Sequence, residues 1–182
     1  MSDNSSRALC ATDALLVIDV QVGLISGAFQ EPLVLERINQ AIGKVRAHGG
    51  RVIFIQHNHA SFEPMRAGEP GWVLHPGLER SPEDAVVQKT ASDAFFDTGL
   101  DDTLRTFGIE RVLVSGLMTE YCVDATCRAA LSRNYAVTLL SDAHTTGDAH
   151  LKAAQIIDHH NRVLANLAHP RRTIEVRTVA AV

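Results

Sequence analysis

The sequence is short of several things, and each shortage excludes something. Its 182 residues hold three cysteines, at positions 10, 122 and 127. They are too few and too unevenly spaced for a disulfide framework or a paired-cysteine metal site. Positive charge is not in excess either: 17 Lys and Arg stand against 21 Asp and Glu, a net charge of −4. Binding to nucleic acid or to an acidic membrane therefore has no electrostatic basis. No apolar run reaches the ~18 residues of a membrane span. The opening MSDNSSRALCATD has no basic region followed by an apolar stretch, so no signal peptide is predicted. The expectation is a cytoplasmic protein with reduced thiols and neither a membrane nor a nucleic-acid partner. Repeats and low-complexity tracts are missing. Gly23, Gly27 and Gly49-Gly50 spell no dinucleotide fingerprint and no phosphate loop, so no nucleotide cofactor is expected.

What is present is an ordinary globular composition, 46% hydrophobic and 21% charged. A chain of this length buries roughly 70% of its unfolded surface, enough for one core without staples. One domain spanning residues 1–182 is expected, with 1–12 as a flexible N-terminal tail. Short β-branched runs alternate with helical periodicity. Ala14–Ile18, Arg51–Gln56, Ala85–Lys89, Arg111–Ser115, Tyr135–Leu140 and Thr173–Val176 read as strands. The unbroken ALLVI of the first suits a strand covered on both faces. A helix is predicted over Glu31–His48, where Leu35, Ile38, Ile42 and Val45 recur at three and four and Gly49-Gly50 stops the pattern. Others are predicted over Gly99–Phe107, Thr119–Arg133 and Asp148–Leu167. Asn58–Pro82 carries Pro64, Pro70, Pro76 and Pro82 and no period, and reads as a long functional loop. The alternation predicts an α/β fold, a three-layer αβα sandwich around a six-stranded, mostly parallel sheet of order 3-2-1-4-5-6. Such sheets place ligands at the carboxyl ends of their strands.

Three reactive side chains sit just past predicted strand ends: Asp19 after the first, Lys89 at the end of the third, Cys122 after the fourth. Thr119 suits an N-cap, which puts Cys122 near the third helical position. There the helix dipole favours thiolate, and free N–H groups can hold an oxyanion. Singly, each residue has an ordinary reading: an inert buried thiol, a loop cap, a solvated strand-end lysine. Together they supply the base, the cation and the nucleophile that acyl chemistry at a thiol requires. Cys127 reads as packing, and Cys10 is given no role. Asp142-x-His144 lacks a partnering serine and reads as structural. His159-His160 are expected to face another helix or subunit. Gln21, Phe29, His57, Trp72, Phe95 and Tyr121 are candidate pocket walls, with core packing the equal reading for Phe95.

The segments ALLVIDVQVGLI (14–25), VVQKTASDAFFDTGL (86–100) and VLVSGLMTEYCVDATCRAAL (112–131) carry a resemblance, with weaker support from SDAHTT (141–146) and IIDHHNRVLANL (156–167). In these the chain resembles the isochorismatase-like cysteine hydrolase superfamily, which includes nicotinamidases and related amidases. The resemblance puts the catalytic aspartate on Asp19, the lysine on Lys89 and the nucleophile on Cys122. It implies a cis peptide between Leu117 and Met118, which aims the Met118 and Cys122 N–H groups at a substrate oxygen. It also implies a homo-oligomer, dimer or tetramer. True isochorismatases cleave a vinyl ether and commonly lack the cysteine, so its presence favours a small-molecule substrate with a C–N bond, an amide, ureide or lactam, opened through a thioester. A vinyl-ether hydrolase and a non-catalytic binding protein on the same fold are the alternatives. Nicotinamidases resembling this chain bind a divalent metal through an Asp-x-His pair and a later histidine. Here His57 stands where that aspartate would be, so no metal is expected; if one binds, its ligands are His57, His59 and His75.

Overall fold

The computed structural model describes residues 7–182. Six strands, β1 (Asp13–Ile18), β2 (Arg51–His57), β3 (Ala85–Lys89), β4 (Arg111–Leu117), β5 (Ala136–Thr145) and β6 (Ile174–Arg177), form one sheet. Its order is β3-β2-β1-β4-β5-β6, with every neighbouring pair parallel. Between them run α1 (Val22–Ile25), α2 (Glu31–Ala47), α3 (Leu100–Thr106), α4 (Asp124–Ser132) and α5 (Ala153–Ala165). The fold is the three-layer αβα sandwich that the alternation of strands and helices predicts.

Both faces of the sheet are covered, and the period of two along β1 shows how. Leu15 and Val17 point to the layer holding α2, where Val34, Ile38, Ala41, Ile42 and Val45 form its buried stripe. Ala14, Leu16 and Ile18 point to the other layer, with Leu100 and Leu104 of α3, Cys127 and Ala130 of α4 and Leu164 of α5. Every residue of β1 is buried, which is why this segment reads as an unbroken apolar run. Among the described residues no helix is long and apolar enough to cross a membrane.

Several boundaries differ from the sequence reading. β4 runs on to Leu117 and β5 to Thr145, past a register shift between Val114 and Gly116. Asp142 and His144 thus lie within a strand, not after one. The helix expected over Thr119–Arg133 opens as a π turn, Thr119–Val123, and becomes α4 only at Asp124. Thr119 does not cap it: its hydroxyl faces His144 Nδ1 at 2.8 Å instead. The helix expected from Asp148 starts at Ala153, whose N–H donates to the Asp148 carboxylate at 2.9 Å. The loop after β2 holds two 3-10 turns, Glu63–Met65 and Pro70–Trp72.

Of the tail expected over 1–12, residues 1–6 lie outside the described residues. Residues 7–12 are docked rather than free. Leu9 is buried, the Cys10 N–H donates to Asp13 Oδ2 at 2.8 Å, and the Arg111 guanidinium donates to the carbonyls of Arg7 and Ala8 at 2.9 and 3.1 Å. Polar composition hid this, because most of the anchors are backbone groups and a single buried Leu9 carries no period.

Candidate active site

Parallel pairing brings the carboxyl ends of β3, β2, β1 and β4 to one crevice. Lys89, the last residue of β3, is paired in register with His57, the last of β2. Asp19 follows β1 in the left-handed region, φ 53°, where aspartate is better tolerated than most residues. Its N–H donates to the Ile55 carbonyl at 2.9 Å, and the turned backbone delivers the carboxylate into the crevice. Gly116, φ 109°, allows β4 to pass β1 closely; a Cβ there would stand 2.0 Å from the Ile18 carbonyl oxygen. The Leu117–Met118 peptide bond is cis, and the π turn after it presents Cys122 to the same crevice.

The side chains converge on one ammonium. Lys89 is almost wholly buried. Its Nζ lies 2.7 Å from Asp19 Oδ2, 3.1 Å from Cys122 Sγ, 2.7 Å from His57 Nδ1 and 3.0 Å from the Ala91 carbonyl. The Cys122 sulfur and an Asp19 carboxylate oxygen lie within 4.8 Å of each other. Burial raises the Asp19 carboxyl above its usual range, against the opposing pull of Lys89 and Cys122. Burial, then the Asp19 charge, push the Cys122 thiol up to about 12, with Lys89 pulling the other way. Burial thus works against the thiolate that the first-turn position is expected to favour. Among the described residues the backbone N–H of Met118 donates to no protein acceptor, and Met118 borders the same cavity as Cys122.

The crevice opens into a cavity of about 310 Å³. Leu24, Phe62, Met65, Met118 and Tyr121 form its apolar walls, and His57 and His59 its polar edge, above Asp19 and Cys122. Of the expected pocket residues, His57 and Tyr121 line it and four do not. Gln21 is buried behind it. Its amide donates to the carbonyls of His57 at 3.1 Å and Trp72 at 2.7 Å and accepts the His57 N–H at 2.8 Å. Trp72 turns its indole N–H to Asn58 Oδ1. Phe29 lines a separate groove between α2 and α5. Phe95 stacks on Tyr135 within the core. Leu24, Phe62 and Met65 went unread. Leu24 sits in a one-turn helix too short for periodicity to show, and the other two in a segment that has none.

The histidines fit a metal poorly. Among the described residues His75 does not join His57 and His59; the one close donor set is Asp19, His57 and Cys122, and the Lys89 ammonium already contacts all three. A histidine binding a metal through Nε2 gives its Nδ1 proton to an acceptor. Here each Nδ1 faces a donor: Lys89 Nζ for His57, the Phe62 N–H at 3.1 Å for His59, the Gly77 N–H at 3.1 Å for His75.

A second layer braces the π turn. His144, buried, meets Thr119 Oγ1 through Nδ1 and Asn161 Oδ1 through Nε2, at 2.8 and 3.0 Å. Burial lowers its pKa to about 4, so it is neutral. Thr146 donates to Glu120 at 2.9 Å.

Residues 13–173 match the isochorismatase domain family. The chain is 40% identical over 138 residues to a streptothricin hydrolase of Streptomyces noursei, covering 74% of this chain and 50% of that protein. It thus spans about half the length of that relative. It is 29% identical over 190 residues to a ureidoacrylate amidohydrolase of Variovorax paradoxus, covering 82% of this chain and 75% of that one. A solved structure of an isochorismatase family protein superposes with a TM-score of 0.80 at 33% identity, covering 90% of this chain and 97% of the other.

Proposed function

The chain belongs to the isochorismatase family, and on that premise we propose that it hydrolyses a C–N bond of a small amide, ureide or lactam through a thioester on Cys122. The observation that carries the reading is the buried Lys89 ammonium, 2.7 Å from Asp19 Oδ2 and 3.1 Å from Cys122 Sγ at the floor of a cavity. One cation steadies both the base and the sulfur that becomes anionic.

In the first half-reaction the Cys122 sulfur attacks the substrate carbonyl carbon as Asp19 accepts the thiol proton. A carboxyl raised by burial is the better base for a thiol that is itself raised. The oxygen, now negative, is held by the backbone N–H groups of Met118 and Cys122. Collapse of the tetrahedral adduct breaks the C–N bond. The proton on Asp19 goes to the leaving nitrogen, and an acyl thioester remains. In the second half-reaction water attacks the thioester, Asp19 takes its proton, and the acid leaves as Cys122 recovers a proton from Asp19. No step needs a metal or an organic cofactor.

The name of one relative, a streptothricin hydrolase, supports hydrolysis over mere binding, and that of the other, a ureidoacrylate amidohydrolase, supports C–N cleavage over vinyl-ether cleavage. A homo-oligomer, dimer or tetramer, is part of the proposal, as is a cytoplasmic setting. Tyr121, 58% exposed, and Phe62, 47% exposed, at the cavity wall support a partner surface there, and light scattering sizes it. The test of the activity is ammonia or amine release across a panel of small amides, ureides and lactams, with mass spectrometry for an acyl adduct on Cys122. Release that depends on Cys122 supports the reading. Cleavage of a vinyl ether with no amide turned over replaces it.

A further inference from the structure

The two imidazoles at the rim of the cavity do a job that the hydrolytic steps leave unassigned. Lys89 carries three N–H donors and, as an ammonium, no acceptor. Its contact of 2.7 Å with His57 Nδ1 therefore makes that nitrogen the acceptor, and the single ring proton of His57 sits on Nε2. His59 is fixed in the same way by a different partner: its Nδ1 accepts the Phe62 N–H at 3.1 Å, which again leaves the proton on Nε2. The two rings lie nearly parallel, 24° apart, with centroids 5.9 Å from each other. Both line the cavity, and among the described residues no protein group accepts a hydrogen bond from either Nε2. Outside the Asp19 and Cys122 pair, the cavity's polar side chains are these two imidazoles and the Tyr121 phenol; around them stand Leu24, Phe62, Met65 and Met118.

From this we infer that His57 and His59 form a prepositioned pair of uncharged N–H donors that selects a substrate carrying a second oxygen acceptor near the scissile carbonyl. The inference rests on the hydrolase reading for what the scissile bond is, but not for the donor geometry. The acceptor is an uncharged one, a second carbonyl as in a ureide, rather than a carboxylate. The cavity offers an anion no unpaired cation, because Lys89 is engaged by Asp19 at 2.7 Å, and burying an uncompensated charge among apolar walls is unfavourable. The same tautomers that make the pair a donor edge are the ones that turn a metal away.

The test uses three thiol-directed probes that differ in the acceptor: chloroacetylurea, with a second carbonyl; N-isopropyl-2-chloroacetamide, of similar shape without it; and N-chloroacetylglycine, with a carboxylate. Alkylation rates of Cys122 in the whole protein are divided by each probe's rate with glutathione, and Cys122→Ala marks background labelling. The expected result is about a tenfold preference for chloroacetylurea over the isopropyl probe, with the carboxylate probe behind both. His59→Phe keeps a ring and loses the donor, and the preference collapses to about one. His59→Gln keeps an N–H and an oxygen able to accept from Phe62, and restores part of it. His57→Phe slows all probes, since it also touches Lys89, but the ratio of the two uncharged probes cancels that and falls likewise. A preference unchanged in both phenylalanine variants overturns the inference, as does a lead for the carboxylate probe or stoichiometric zinc that is lost with His59. Alkylation needs an open thiol and no turnover. A protein that shows the preference yet cleaves no amide sinks the hydrolase reading and leaves the donor pair standing.

Discussion

The chain buries a carboxylate against a cation at each end of β1, and the two pairs behave in opposite ways. At the entry, Asp13 is gripped by its register neighbour Arg111, through Nε at 3.0 Å and Nη2 at 2.6 Å. It also accepts the Cys10 N–H at 2.8 Å. At the exit, Asp19 shares Lys89 with His57, Cys122 and the Ala91 carbonyl. A guanidinium fork satisfies a carboxylate on both oxygens and fixes its plane, whereas an ammonium is a point charge that can turn from one acceptor to another. The first pair is closed and holds the docked segment 7–12 to the sheet. The second is shared among more acceptors than Lys89 has protons, which leaves it poised for one to gain or lose a charge.

The sharpest way to break the comparison is to remove the nucleophile. Cys122→Ser should lower C–N hydrolysis by about 10⁴-fold or more with little change in the urea midpoint, because serine is far less acidic than the thiol that Asp19 serves. Residual activity above a few per cent would move the nucleophile elsewhere. Lys89→Met should come next, a loss of about 10² to 10⁴-fold. It should also slow Cys122 alkylation at any given pH, since the ammonium is the influence that pulls the thiol pKa down. An alkylation profile identical to that of the unaltered protein would separate Lys89 from the sulfur.

Arg111→Ala attacks the other end. Leaving Asp13 buried without its partner should cost about 3–5 kcal/mol of stability, read by urea denaturation. The Cys122 alkylation rate in the surviving folded protein should stay put. A fall in that rate to match would mean that the two ends of β1 are not independent. The smallest effect is in pH. Burial pushes the folded Cys122 thiol up to about 12 from the ordinary value of 9.0 that an unfolded chain keeps. Ionisation thus favours the unfolded chain as pH rises between those values, and stability drains by up to about 1.4 kcal/mol per pH unit. The slope of unfolding free energy against pH over that window should be shallower in Cys122→Ala. Equal slopes would place the thiol in an ordinary, solvated setting.

The sheet was legible in the sequence because its strands are buried on both faces and therefore spell unbroken apolar runs, as ALLVI does. The ends were not. β5 runs on to Thr145 through Ser141, Asp142 and His144, polar residues that look like a loop but are tied in by register with Gly116 and Leu117. The π turn was invisible because Thr119 has the chemistry of a cap and spends it on His144. Asp19, Lys89 and Cys122 were legible as strand-end residues in a fixed order. Their electrostatics were not, since the rise in the thiol pKa comes from burial by walls contributed far along the chain. Gln21 reads as a pocket residue because it follows Asp19 by two, yet alternation carries it to the back of the crevice.

That glutamine has a consequence for how this protein can be changed. A single side-chain amide fastens the backbone of His57 and of Trp72, and Gln56 adds a second tie to the Trp72 carbonyl at 3.0 Å. Both rivets grip main-chain atoms and are blind to what lies between them. Between them Phe62 and Met65 reach the cavity, on a backbone held by the His59 N–H, which donates to the Met65 carbonyl at 3.0 Å, and by Gly71, whose Cα faces Pro64 too closely for a side chain. The wall is therefore open to change at the half-exposed Phe62 side chain, which neither rivet touches, and closed to change in the backbone beneath it.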